Sequence, residues 1–91
     1  MENRVAMIGI IVEANGDIDV MNALLHEYRN FIVGRMGVPY AKRGIAMISV
    51  MIDAPQDKIA ALSGKLGALA NISSKTLYSN VKEVSDENLN Q

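Results

Sequence analysis

Two stretches of this chain are apolar at both alternating sets of positions. Residues 5–12 carry Val5, Met7, Gly9 and Ile11 on one set and Ala6, Ile8, Ile10 and Val12 on the other. Residues 45–52 repeat the arrangement, with Ile45, Met47, Ser49 and Met51 set against Ala46, Ile48, Val50 and Ile52. Strands that are non-polar on both faces and rich in β-branched side chains belong in the middle of a sheet. Residues 31–36 and 72–78 are more mixed. Gly34 and Arg35 interrupt the first, Ser73 and Lys75 the second, so both predict edge strands blunted by charge or glycine.

Helical periodicity separates the strands. Ile18, Met21, Leu25 and Tyr28 recur at 3-4-3 spacing, with Leu24 alongside and Asp17 in place as an N-cap. Ile59, Leu62, Leu66 and Leu69 repeat that spacing further on. Pro55 fits the first position of this second helix, and Asp57 suits the positive end of its dipole. Gly67 is the expected left-handed cap, with Leu69 a contact just beyond it.

The order is β-α-β-β-α-β, and a faint echo links its halves. Val12-Glu13-Ala14 with Asp17-Ile18 opens the first helix, and Ile52-Asp53-Ala54 with Asp57 and Ile59 opens the second. Two interlocking βαβ halves give a ferredoxin-like α+β sandwich, an antiparallel four-stranded sheet of order 4-1-3-2 with both helices on one face. That order places the first and third strands centrally, where the apolar pattern independently puts them. Residues 1–79 form this domain, and 80–91 predict a polar, disordered tail.

The even-numbered set of the central strands, all Ala, Ile and Val, is the better floor for the helices. Val5, Met7, Ile11, Ile45, Met47 and Met51 then remain on the opposite face. Left bare, they would form an apolar patch larger than a soluble monomer normally shows. They are the expected interface of a homo-oligomer, a dimer or a tetramer.

Composition sharpens this picture. The chain has 91 residues, no Cys, no Trp and a single Phe, so its core is aliphatic and unstapled. A domain this small buries only about two thirds of its unfolded surface, which again favours partner copies. The absence of Cys removes disulfides, thiolate metal sites and Cys nucleophiles together. Net charge is −1 overall and +1 for residues 1–79, far from the basic excess that nucleic-acid binding requires. No apolar run approaches the length of a membrane span and no leader pattern opens the chain, so a cytoplasmic location is expected.

Few segments suggest chemistry. His26 is the sole histidine, one step from the buried stripe, and reads as an exposed helix residue; no metal site and no catalytic triad are expected. Gly34-Arg35-Met36-Gly37-Val38-Pro39-Tyr40-Ala41-Lys42-Arg43-Gly44 is the most unusual stretch. It is read either as a hairpin with solvated charges or as a cradle for a small anionic ligand, using Arg35, Tyr40, Lys42 and Arg43. Glu13-Ala14-Asn15-Gly16-Asp17 joins strand to helix. Asn15 and Gly16 there could offer backbone N–H groups to an anion, or simply make the connection. Ser63-Gly64-Lys65-Leu66-Gly67 fails as a phosphate loop, because Ile59 and Leu66 stand where that motif needs Gly and Ser or Thr.

These residues resemble the small regulators associated with the iron-only hydrogenase system. The resemblance runs through Arg4-Val5 with Ile8-Gly9-Ile10, Leu24-Leu25-His26-Glu27-Tyr28, and Gly34 to Tyr40. It continues through Arg43-Gly44-Ile45, Asp53-Ala54-Pro55, Leu62-Ser63-Gly64-Lys65-Leu66-Gly67 and Lys75-Thr76-Leu77-Tyr78-Ser79. That family's fold is similar to ACT-type regulatory domains and to the carboxy-terminal domain of the nickel-responsive repressor. The resemblance implies a non-enzymatic, oligomeric regulator or ligand sensor, without naming a ligand or cofactor. The repressor's nickel site uses several His and a Cys, which this chain lacks. Its DNA-binding arm has no counterpart before Arg4, so any control of transcription would run through a partner. An acylphosphatase-like hydrolase needs an arginine after the first strand, and residues 13–17 contain none. The alternative function is a structural or partner-binding domain with no small-molecule ligand.

Overall fold

The computed structural model describes residues 2–80. Four strands, β1 (Asn3–Val12), β2 (Ile32–Tyr40), β3 (Ile45–Pro55) and β4 (Ile72–Tyr78), form one antiparallel sheet in the order β2-β3-β1-β4. Helix α1 (Ile18–Glu27) joins β1 to β2, and α2 (Gln56–Gly67) joins β3 to β4. This is the ferredoxin-like arrangement, with β1 and β3 in its centre. The tail expected from Asn80 lies, beyond Asn80 itself, outside the described residues.

The core is the even-numbered face. Ala6, Ile8, Ile10 and Val12 of β1 pair in register with Ile52, Val50, Ile48 and Ala46 of β3, and nearly all are buried. Ile59, Leu62 and Leu66 of α2 and Met21, Leu25 and Tyr28 of α1 close over them. The one departure is Ile18, which is 44% exposed at the start of α1 rather than part of its buried stripe. Asp17 caps α1 as expected, its carboxylate accepting from the Val20 N–H at 3.1 Å.

The second helix differs at both ends from the sequence expectation. Pro55 is the last residue of β3 and the cap, with ψ 143°, and the helix begins at Gln56. Gly67 does not turn left-handed: it ends the helix, Ala68 stays right-handed, and the left-handed residue is Asn71 at φ 62°. What Gly67 provides is room, because a Cβ there would lie 3.3 Å from the Ser74 hydroxyl. That hydroxyl donates to the Ser63 carbonyl at 2.8 Å and ties α2 to β4.

Lys65 links the two helices. Its ammonium donates to the Tyr28 hydroxyl at 3.1 Å and lies 3.6 Å from the Glu27 carboxylate. Those contacts, the Tyr28 hydrogen bond foremost, raise its pKa above the usual 10.5. The link is therefore intact at neutral pH and is released only as the pH climbs past that range.

Strand β2 is longer than its sequence suggests. Pro39 sits within it, tolerated because β2 is an edge strand whose outer N–H groups need no ladder partner. The pairing shifts between Ile32, opposite Ile52, and Gly34, opposite Met51. This bulge at Val33 reverses the alternation. Arg35 and Gly37 fall on the helix side, opposite Val50 and Ile48, while Met36, Val38 and Tyr40 join the other face. The turn into β3 is a single 3-10 turn, Ala41–Arg43, closed by Gly44 at φ 69°.

Candidate functional site: an uncovered apolar sheet face

The face away from the helices is bare and apolar. The ladder registers arrange it as rows across the sheet. Gly34, Met51, Met7 and Leu77 form one row; Met36, Ser49, Gly9 and Lys75 the next; Val38, Met47, Ile11 and Ser73 the third. Val5 lies beyond one end beside Asp53, and Ile45 beyond the other beside Tyr40. Met36 is 64% exposed, Leu77 70% and Met47 40%, although all three are large and apolar. No element of the described chain covers them.

All six side chains expected at an interface lie on this face. Met36, Val38 and Leu77, not singled out from sequence, extend it, as does Tyr40, which the sequence offered for an anion rather than for this face. The signal existed in β2: 36, 38 and 40 alternate, but the surrounding glycines and Pro39 resembled a loop. Between Met47, Ile11, Val38 and Met36 the face sinks into a trough of about 570 Å³, floored by Gly9 and Ser49. The ammonium-bearing Lys75 is the sole charged residue along its lining.

The side chains expected to hold an anion are not brought together. Tyr40 is on the bare face, while Lys42 and Arg43 are in the turn at its end. Arg35 is on the helix side, five residues down β2 from Tyr40, or about 17 Å along the strand. There it borders a groove of about 310 Å³ with His26, Arg29 and Asn22. Arg29 donates to the His26 carbonyl at 3.0 Å, which satisfies the end of α1. His26 is exposed, as its helix position predicts. Among the described residues no His, Asp or Glu cluster could hold a metal.

Asn15 and Gly16 are committed to the connection they occupy. Asn15 is left-handed at φ 71°, and the Gly16 N–H donates to the Glu13 carbonyl at 2.9 Å. A Cβ on Gly16 would lie 2.6 Å from the Val12 side chain and within 3.2 Å of the Asn71 carbonyl, so only glycine lets the loop press on the start of β4. Gly16→Ala is expected to cost about 1–3 kcal/mol through overpacking. A urea-unfolding midpoint equal to wild type would show that the loop yields freely.

These features define a class: a ferredoxin-like α+β domain, helix-covered on one side and open and apolar on the other. The chain belongs to the family whose model is described as "TM1266-like: Iron-only hydrogenase system regulator, putative", which matches residues 4–76. It is similar to a solved structure of the uncharacterized protein TM1266 from Thermotoga maritima, at 33% identity and a TM-score of 0.81. That match covers 85% of this chain and 98% of the other. A formyltetrahydrofolate deformylase from Pseudomonas putida KT2440 shares the fold at 17% identity and a TM-score of 0.61, over 85% of this chain and 29% of that one. None of the curated proteins matches the chain. No helix among the described residues is long and apolar enough to cross a membrane.

Proposed function

We propose that this chain is a non-enzymatic regulatory domain of the iron-only hydrogenase system that works as a homo-oligomer and responds to a small ligand held where subunits meet. The observation that carries this reading is the uncovered apolar face, in a family of regulators. Four strands about 4.8 Å apart with rows spanning about 30 Å give roughly 600 Å² in projection. That approaches the roughly 800 Å² each partner contributes to a stable interface. A second copy presents the same aliphatic and thioether surface and would cover it.

Burying this face stabilises the assembled state, so a ligand seated in the seam shifts the population between assembled and free chains. Tyr40 lies on the face, with Lys42 and Arg43 beside its end, and these are the side chains proposed to meet an anionic ligand at the rim. A purely structural assembly domain would use the same face and ignore small molecules. Native mass spectrometry of protein purified from its own cell reads subunit number and retained ligand together. An assembly carrying a ligand is expected; a monodisperse monomer at micromolar concentration overturns the proposal.

A further inference from the structure

Gly9 is at the centre of the open face, in the middle of the central strand, where glycine weakens a sheet. Nothing among the described residues requires it. A Cβ there would meet only the Lys75 carbonyl, at an ordinary 3.9 Å. Glycine in such a place leaves room for something approaching from outside.

Its row supplies the chemistry. Across the sheet run Met36, Ser49, Gly9 and Lys75, so the low floor of Ser49 and Gly9 has a thioether at one end and an ammonium at the other. Met47 and Ile11 rise beside it in the next row. Lys75 pairs with no carboxylate among the described residues. Asp53, an acid within the strands of this face, is four residues beyond Ser49 along β3, about 13 Å from it.

We propose that the trough over Gly9 binds a small monocarboxylate with an unbranched or branched apolar tail, its carboxylate on Lys75 and its tail running towards Met36. The inference rests on the proposed assembly in one respect: the second copy roofs the trough. Under that roof the ammonium loses water, and one carboxylate offsets the cost of burying its charge. A dianion would bring an unmatched charge into an apolar trough, and an amine would face Lys75. The flexible thioethers of Met36 and Met47 suit tails of varied shape.

Hexanoate and its uncharged counterpart hexanamide test this on the full chain, read by thermal melts in circular dichroism. Hexanoate is expected to raise the melting temperature of wild type by several degrees and hexanamide by clearly less. Lys75→Gln should erase the difference between them. Gly9→Val, whose Cβ meets only the Lys75 carbonyl at 3.9 Å, should keep the spectrum and lose both responses. Equal shifts with the two compounds in wild type, or an undiminished hexanoate response in Lys75→Gln, overturn the proposal. Light scattering on the same samples separates the two ideas. A monomer that still discriminates hexanoate refutes the assembly and keeps the trough; an assembly indifferent to hexanoate refutes the ligand.

Discussion

Met47→Asp is expected to break the proposed assembly into monomers, with the helix-side core left intact. Met47 stands in the row Val38, Met47, Ile11, Ser73, surrounded by apolar neighbours on its own sheet. In a monomer the new carboxylate remains in water and costs little. In a face-to-face seam it is desolvated with no cation in its row, at about 3 kcal/mol or more for each copy. In a symmetric dimer the two copies together weaken association by about ten-thousandfold or more. Sedimentation at micromolar concentration reads the outcome. A wild type and a variant that sediment alike would mean that this face is not the seam.

Leu62→Ala should instead unfold the domain readily. Leu62 is fully buried in the middle of α2, among the Ile and Val side chains of β1 and β3. Truncation of such a leucine costs about 2–5 kcal/mol, the lost transfer energy plus the cavity left behind. At 4–8 °C for each kcal/mol in a domain of this size, the melting temperature falls by roughly 10–20 °C or more. Leu77→Ala, at a site 70% exposed, is the matched control. It should leave the fold's secondary structure and local packing alone. If Leu62→Ala melted within a few degrees of wild type, the core would have to be far more adaptable than its packing implies.

Most of the architecture was legible because the two central strands announce themselves on both faces. Val5 to Val12 and Ile45 to Ile52 could hardly be anything but interior strands, and the helix stripes at Met21, Leu25, Ile59, Leu62 and Leu66 fix which face they share. Apart from Ile18 and the ends of α2, what escaped detection traces to β2. Its Gly34, Gly37 and Pro39 are turn residues by composition, and an edge strand can carry them because one side of its backbone has no ladder to break. The bulge at Val33 compounds the difficulty: it reverses the alternation, so no single period runs from Phe31 to Tyr40. The open face was half legible for that reason. The grouping of Arg35 with Lys42 and Arg43 failed on geometry, since an extended strand holds apart what a loop would have gathered. The trough over Gly9 depends on lateral register among four strands, which no local pattern encodes.

The sheet order also governs how the chain can be made. β1 is the first strand synthesised, yet one of its two neighbours is β4, so Ala6 waits for Tyr78. Until β4 emerges from the ribosome, a nascent chain that has already paired β1 with β3 presents β1 as a raw edge of unpaired N–H and C=O groups. That edge is flanked by an apolar surface on each side. Long-range pairings of this kind form late and leave the intermediate prone to self-association. The Arg4 guanidinium, 4.4 Å above the Tyr78 ring and 3.4 Å from the Ser79 carbonyl, closes the last gap. A released chain cut short near residue 70, before β4, would therefore stay in this aggregation-prone form, with the β1 edge unpaired.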